Sequence, residues 1–452
     1  MIERKEKYTA AFYTLGCRVN QYETRAVEEA FVSDGFEIGD FDGKCDVYVI
    51  NTCTVTAESD RKSRQIIRRA AKNGGSDAVV IVIGCMSQTN PEQAKKIQGV
   101  DAVFGTGEKM ACAALARRLV ESKKAGAETQ PQDFVDDIFS HDTIEHMSVH
   151  GSDNTRAFLK VVDGCDNKCS YCIIPKARGH VRSKSIEDVI SECRNITASG
   201  CREIVLTGIE TAAFGRDCGL TLSDLAKSVS QLENVKRIRF GSLEPTVITQ
   251  QLVSQLSEIP EVMPHFHLSL QSGCDDVLKA MRRKYNTGMF LEKLSMLHEY
   301  FPDFEATTDI IVGFPGETEE MFEKTLEFVQ KCGFLYVHVF PYSDRKGTAA
   351  SGFDGKLPEN VKHERAAMLT KKMYEVRNKT LEKYVGKTAN VLWETYKNGY
   401  AHGYTENYIE VRYKDADFLK PNDITQIRLE KIGENAEFMV AKRSENDCGG
   451  AI

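Results

Sequence analysis

No apolar run in this sequence of 452 residues approaches the roughly 20 needed to span a bilayer. The opening MIERKEKYTA lacks the apolar stretch of a secretory signal, and no apolar tail stands at the other end. These absences predict a cytoplasmic protein without membrane attachment. Positive charge is not in surplus either. A formal net charge of −7 gives no global attraction to nucleic acid, so an RNA partner requires locally concentrated basic residues. Structural disulfides are uncommon in a reducing compartment, and the 14 cysteines then read as buried bystanders, metal ligands or catalytic groups. Short-period repeats and low-complexity segments are also lacking. What remains is a soluble globular composition, 41% hydrophobic and 28% charged, in a chain long enough for two or three domains.

Residues 1–120 alternate strand and helix. AFYTLGC, VYVINTC and VVIVIGC read as strands, and fully apolar strands imply a parallel sheet covered on both faces. NQYETRAVEEAFVSDG reads as a helix with Asn20 at the N-cap, Glu23 three residues on and Gly35 past the end. SDRKSRQIIRRAAKNGG reads as a second helix, with Ile66, Ile67, Ala70 and Ala71 on one side. Residues 121–154 read as a polar linker with one sticky piece, FVDDIF. His141, His146 and His150 are irregularly spaced there and read as solvated rather than as a metal site. Residues 155–380 carry six strand candidates: FLKVVDG, EIVLTGI, RIRFGSL, HFHLSLQ, ATTDIIVGF and YVHVFPY. Helical patterns such as ETEEMFEKTLEFVQKCG separate them, which predicts a partial (β/α) barrel. Residues 381–445 alternate β-branched and aromatic residues around turns such as Asn398-Gly399, the mark of a small antiparallel β-domain, and 446–452 form a tail.

Each of the first three strands ends on a cysteine. Cys53 lies 36 residues after Cys17 (53 − 17) and Cys85 lies 32 after Cys53 (85 − 53), each close to one βαβ step of roughly 30 residues. The carboxyl ends of parallel strands gather along one edge, so Cys17, Cys53 and Cys85 converge although far apart in sequence. One such cysteine is an ordinary buried residue. Three at equivalent places suit an iron–sulfur cluster with one open iron, since structural zinc normally takes four ligands. A second set, Cys165, Cys169 and Cys172, has the spacing C-x3-C-x2-C in GCDNKCSYCIIPKARG. One loop then wraps three corners of a 4Fe–4S cube. The fourth iron is left for a small chelating ligand, a role that suits the amino and carboxylate groups of S-adenosylmethionine. An electron delivered there breaks the sulfonium C–S bond and releases a 5′-deoxyadenosyl radical. The remaining cysteines, among them Cys193, Cys201, Cys274 and Cys332, share no placement and read as packing residues.

The order strand, C-x3-C-x2-C, six βα units resembles the radical S-adenosylmethionine superfamily. Both cysteine sets and the β-tail together resemble the methylthiotransferases over nearly the full length. TLGCRVNQYE, NTCTVTAESDRKSRQ and CIIPKARGHVRS are most similar to the branch acting on N6-threonylcarbamoyladenosine in tRNA, in its bacterial form. The resemblance implies an N-terminal three-cysteine domain, a radical core and a C-terminal RNA-binding TRAM barrel. It implies two 4Fe–4S clusters, an auxiliary one on Cys17, Cys53 and Cys85 and a radical one on Cys165, Cys169 and Cys172. It also implies transfer of a methylthio group to C2 of the adenine at tRNA position 37, one S-adenosylmethionine supplying the methyl group and a second the radical. An anticodon stem-loop as partner, an electron donor such as a flavodoxin or ferredoxin, and a monomeric state complete the picture. The same chemistry on isopentenyladenosine or on a ribosomal-protein aspartate is the alternative, with a non-catalytic RNA-binding metalloprotein as a rival of another class.

Cofactor candidates are Tyr171 beside Cys172, Thr207, Gly208 and Glu210 in LTGIETAAFG, and Ser242 and Glu244 in SLEP. Gln271 in LSLQSG and Asp309 before the Gly313–Gly316 turn join them, each equally suited to a turn or cap. Arg178 reads either as a bidentate partner of a carboxylate or phosphate or as a surface residue. Four basic groups are candidates for RNA phosphates: Arg61, Arg64, Arg68 and Arg69; Lys176, Arg178, Arg182 and Lys184; Arg282, Arg283 and Lys284; and Lys371, Lys372 and Arg377. Trp393, Tyr396 and Tyr400 read either as base-stacking partners or as barrel core.

Overall fold

Runs of β-branched residues bounded by polar helices build the first sheet. Its strands are β1 (Thr9–Thr14), β2 (Glu37–Ile38), β3 (Val47–Thr52), β4 (Val79–Gly84), β5 (Ala102–Phe104) and β6 (Gln132–Phe134). They lie in the order β2-β1-β3-β4-β5-β6, and every pair is parallel. This computed structural model describes residues 7–127, 130–151 and 155–442, so the expected tail lies outside the described residues. Every residue of β3 and β4 is buried, because helices cover both faces. Val47, Val49 and Ile81 pack on one side against Val27, Phe31, Leu115 and Leu119. Tyr48, Ile50, Val80 and Val82 pack on the other against Ile66, Ile67 and Ala70. Full burial of a side chain such as Ile67 contributes about 1.5–3 kcal/mol.

The chain runs outward from β1 to β2 and then returns across β1 to β3. Such a reversal makes a crevice at the carboxyl ends of β1 and β3. The segment expected as a linker supplies β6, whose Phe134 stacks on Phe104 with ring centroids 4.7 Å apart. Ile138, in the same FVDDIF piece, is buried.

The chain divides into two compact units. The first holds this sheet together with Lys160–Lys184 and Ser343–Ser351. The second holds His150–Leu159, Ser185–Tyr342 and Gly352–Ile452. Strand β7 (Arg156–Asp163) belongs to both, and its end pairs antiparallel with β8 (Arg182–Ser183) within the first.

In the second unit, β9 (Glu203–Gly208) pairs parallel with β10 (Arg237–Phe240). β11 (His265–Gln271), β12 (Glu305–Val312) and β13 (Tyr336–Pro341) form a parallel set. Single parallel bridges, Ile238 to Val262 and Leu243 to Leu268, link the two sets into the partial barrel. Helix Glu319–Cys332 shows how the sequence sets its ends. Thr318 accepts from the Met321 amide at the start, and Gly333 at φ 65° closes it in the left-handed region.

A 24-residue helix, Glu359–Glu382, leads to β14 (Thr388–Lys397), β15 (Tyr400–Thr405), β16 (Glu410–Lys414), β17 (Ile424–Ile432) and β18 (Met439–Lys442). These close into a barrel in the order β14-β15-β16-β18-β17. Asn398 and Gly399, at φ 53° and 78°, make the two-residue turn between β14 and β15. The pairs are antiparallel except β16 with β18, which is parallel. Trp393 fills the barrel core and donates through Nε1 to Thr425 Oγ1 at 2.8 Å, so the core role decides between its two readings.

A buried ionic cluster joins the small barrel to β9 and β10. Glu203 is fully buried and receives Arg239 Nε at 2.9 Å, with Arg156 also on its Oε1. Arg237 and Arg239 spend their remaining donors on the carbonyls of Asn390, Tyr404, Thr405 and Glu406. Burial opposes ionisation of Glu203, but the three guanidiniums hold its carboxyl down at about 2. Among the described residues no helix is long and apolar enough to cross a membrane.

Candidate functional site

Cys17 caps the helix Arg18–Ser33 after β1, Cys53 follows the last residue of β3, and Cys85 opens the helix Cys85–Thr89 directly after β4. The turn at Gly16 needs φ 104°, and a Cβ there would lie 2.8 Å from Cys53 Cβ and 3.1 Å from its Sγ. Gly84, at φ 100°, makes the equivalent turn before Cys85. Burial pushes the Cys85 thiol up to about 12, and the sulfurs of Cys53 and Cys17 add to that push while Arg178 opposes it. Burial also raises Cys53. The three cysteines stand at the carboxyl ends of three adjacent parallel strands, along one edge of the sheet. Thiols must deprotonate to hold metal, so a metal held by these cysteines would release protons on binding.

Arg178 stands beside Cys85 and is fully buried. Its Nε donates to Cys85 Sγ at 3.2 Å. Nη1 donates to Glu23 Oε1 at 2.5 Å and Asp163 Oδ2 at 3.3 Å, and Nη2 to Asn20 Oδ1 at 2.7 Å and Glu23 Oε2 at 3.1 Å. Lys160 lies 2.7 Å and Lys109 3.3 Å from the same Glu23 carboxylate. Burial works against ionisation of Glu23, yet the three cations hold its carboxyl well below the usual range. Two sequence expectations change here. The helix begins at Arg18 with Cys17 as N-cap, because the Gly16 turn starts it early. Asn20 instead donates to the carbonyls of Leu15 and Thr52, and Glu23 is a buried counter-ion rather than half of a capping box. Arg178 takes the carboxylate partner of its two readings, gripping Glu23 with two prongs, and is neither a surface residue nor within reach of an RNA phosphate.

The C-x3-C-x2-C loop belongs to the same unit. The Cys165 amide donates to Gly179 O at 3.1 Å and the Cys172 amide to Cys169 O at 3.1 Å, which folds the loop on itself. All three cysteines, and Tyr171 among them, are partly exposed. The segment Ser343–Ser351 lies against both cysteine sets. Arg345 Nη2 donates to Thr54 Oγ1 at 2.7 Å and Asp60 Oδ2 at 2.6 Å, one and seven residues past Cys53 (54 − 53 and 60 − 53). The Ala350 amide donates to Ser170 O inside the radical loop at 2.7 Å.

In the second unit, Thr207 and Gly208 end β9, Ser242 and Glu244 follow β10, and Gln271 ends β11. The Ser242 and Ser269 hydroxyls are 2.5 Å apart. Arg283 pairs with Glu244 at 3.4 Å and donates to Ser269 O, so this group is drawn together. Gln271 adopts φ 69°, a backbone state that bends its strand end. Glu210 follows β9 and is partly exposed. Asp309 sits inside β12, three residues before its end (312 − 309), and its Oδ2 lies 3.1 Å from His267 Nε2. His267, Asp309 and His338 offer ligand atoms within 4.8 Å of one another. Their strands are adjacent in the sheet, a grouping that the separate histidines did not announce.

The basic groups fare unequally. Arg61, Arg68 and Arg69 are exposed on the helix Ala57–Gly74, as are Lys176, Arg282, Lys284 and Lys371, while Arg64 and Lys372 are half-buried. Arg182, Lys184 and Arg377 are buried, donating to Arg178 O, to Met147 O and to Glu437 O respectively. They are corrected to structural residues. Tyr396 is exposed and Tyr400 half-buried. Sequence reasoning missed Lys109, Lys160 and Arg345. Lys160 carried a signal, a charge in the middle of the apolar FLKVVDG, which only a buried counter-ion permits.

The donor chemistry of the first trio fits an iron–sulfur cluster, with three sulfurs, a buried cation beside Cys85 and a glycine that lets Cys53 approach, and the second trio offers three partly exposed sulfurs on one loop. Residues 159–329 match the Radical SAM superfamily, and residues 9–105 match the uncharacterized protein family UPF0004. The chain is 40% identical over 435 residues to the threonylcarbamoyladenosine tRNA methylthiotransferase MtaB of Bacillus subtilis, covering 94% of each chain. It is 36% identical to the protein of that name from Aquifex aeolicus, over 90% of this chain and 98% of that one. A tRNA-2-methylthio-N(6)-dimethylallyladenosine synthase from Alkaliphilus oremlandii is 31% identical over 86% of this chain and 83% of the other. In fold alone it is similar to the radical S-adenosylmethionine methyltransferase TsrM of Kitasatospora setae, with a TM-score of 0.52 at 15% identity over 74% and 75% of the two chains. The chain belongs to the radical S-adenosylmethionine methylthiotransferase family, in its threonylcarbamoyladenosine tRNA branch.

Proposed function

We propose that this enzyme adds a methylthio group to C2 of N6-threonylcarbamoyladenosine at tRNA position 37, giving 2-methylthio-N6-threonylcarbamoyladenosine. One observation carries the reading: two cysteine trios lie in one compact unit, in a chain that shares 40% identity with a methylthiotransferase across its length. Cys165, Cys169 and Cys172 hold the radical cluster, and Cys17, Cys53 and Cys85 hold a second. Bound to the first, S-adenosylmethionine supplies one-electron chemistry at an unactivated carbon. The protein's own residues do the rest. The turns at Gly16 and Gly84 aim the strand-end sulfurs, the Glu23 hub fixes Arg178 beside Cys85, and Arg345 ties its segment to the residues following Cys53.

Tyr171, Thr207, Gly208, Glu210, Ser242, Glu244, Gln271 and Asp309 are the candidates for the S-adenosylmethionine site. The domains follow as 1–120 with the second cluster, 155–380 as the radical core, and 381–445 as the TRAM barrel that meets the anticodon stem-loop. A flavodoxin or ferredoxin as electron source, a monomer, and a cytoplasmic location complete the proposal.

The 31% identity to a dimethylallyladenosine enzyme supports the isopentenyl substrate as the second reading. Nucleoside mass spectrometry of tRNA from a deletion strain separates them. Loss of the methylthio form of threonylcarbamoyladenosine supports the proposal, loss of the isopentenyl form supports the second reading, and unchanged tRNA rejects both. Anaerobic reconstitution of the protein is expected to give about eight irons per chain.

A further inference from the structure

We propose that Arg178 is the positioning residue of the cluster held by Cys17, Cys53 and Cys85, donating to the Cys85 sulfur and setting the charge that this cluster meets. The inference rests on the two-cluster reading above. Arg178 has no solvent exposure, which removes a role in grasping phosphate. Its guanidinium is fixed on four partners at once: Cys85, Glu23, Asp163 and Asn20. A planar fork can satisfy that arrangement and a lysine ammonium cannot.

Nε toward a neutral thiol makes a weak bond. Nε toward a metal-bound thiolate makes a charge-assisted one. The contact therefore strengthens on loading, which is the behaviour of a group built to hold the ligated state. The hub around it carries Lys109 and Lys160 as further cations, with Glu23 and Asp163 as anions and Glu145 beyond Lys109 at 3.4 Å. Arg178 is the cation of this hub that reaches sulfur. Hydrogen bonds to the sulfurs and local charge are the protein's means of setting an iron–sulfur potential. Arg178 also ends the helix Ile174–Arg178, six residues past Cys172 (178 − 172), so one side chain fixes the exit of the radical loop to the other cysteine set.

The test uses the full chain carrying Cys165→Ala, Cys169→Ala and Cys172→Ala, reconstituted anaerobically with iron and sulfide. With Arg178 intact, about four irons per chain remain. Adding Arg178→Gln is expected to move the midpoint potential to more negative values and change the electron paramagnetic resonance signal. It should also speed loss of iron to a chelator by about 10- to 100-fold, the usual effect of removing a partner that orients a metal ligand. Arg178→Lys restores part of the potential but not the resistance to chelator. Should Arg178→Gln fail to fold, the double variant Arg178→Met, Glu23→Gln removes both charges of the pair together and is expected to show the same three changes, since the hydrogen bond to Cys85 is lost in it as well. Iron absent with Arg178 intact overturns the two-cluster reading and this proposal with it. Iron present, with potential, signal and chelator resistance unmoved by Arg178→Gln, overturns the proposal alone.

Discussion

Gly16 and Cys53 touch: the missing side chain of the first is the space into which the second fits. A Cβ at residue 16 would stand 2.8 Å from Cys53 Cβ on a backbone at φ 104°. Gly16→Ala is therefore expected to cost about 1–3 kcal/mol and to displace Cys53. Iron content after anaerobic reconstitution should fall toward the value of the radical site alone. Gly126→Ala is the control, since φ there is 79° but a Cβ would meet nothing within 4 Å. It should cost about 1–2 kcal/mol and leave iron unchanged.

Single cysteine variants separate the two sites. Cys53→Ala should abolish the methylthio product yet leave reductive cleavage of S-adenosylmethionine largely intact. Cys169→Ala should abolish both. Quantifying 5′-deoxyadenosine beside modified nucleoside in one reaction checks this, and equal loss of cleavage in the two variants contradicts the division of labour.

Glu305 gives a pH dependence of stability. Burial raises its carboxyl to about 7, although Tyr384 donates to it at 2.7 Å. Because the folded value lies above the unfolded one, its contribution is fully present below about pH 4.5 and is lost as pH rises through about 7. The shift corresponds to about 3 kcal/mol. Glu305→Gln keeps an acceptor for Tyr384 without charge. Anaerobic urea titrations should find variant and parent alike near pH 4 and the variant more stable, by up to about 3 kcal/mol, near pH 8.5.

The two aromatic residues of β14 should part company. Trp393 is buried in the small barrel, whereas Tyr396 is 44% exposed. Trp393→Ala is expected to destabilise by about 3–5 kcal/mol. Tyr396→Ala should change stability by no more than about 0.5 kcal/mol. If Tyr396 stacks on a base, that variant weakens tRNA binding in a filter or gel-shift titration while melting like the parent.

Strand-ending cysteines were legible because a fully apolar run of six residues has few folds open to it, and successive βα steps place its ends on one edge. A carboxylate partner for Arg178 was legible as one of its readings, but its burial was not. GHVRS and KARG look like any basic surface loop, and burial of a guanidinium depends on a carboxylate 155 residues earlier in the chain (178 − 23). Glu23 was misread for a related reason. An Asn with a Glu three residues later satisfies the local rule for a helix start, but β1 and its glycine turn had already started the helix at Arg18. The group His267, Asp309 and His338 lay hidden because each residue occupies a separate strand, and strand neighbours are set by pairing rather than by sequence distance.

Sequence by itself determined the longer strands and helices, the two cysteine sets and the closing β-domain, since these follow from periodicity, spacing and turn residues acting over a few positions, whereas the short strands β2, β5, β6 and β8 emerged only from their pairing. Tertiary structure alone decided which charges are buried and which face solvent. Desolvation is a property of the surroundings, and a basic side chain becomes a phosphate ligand or the hidden partner of a thiol according to what the fold packs around it.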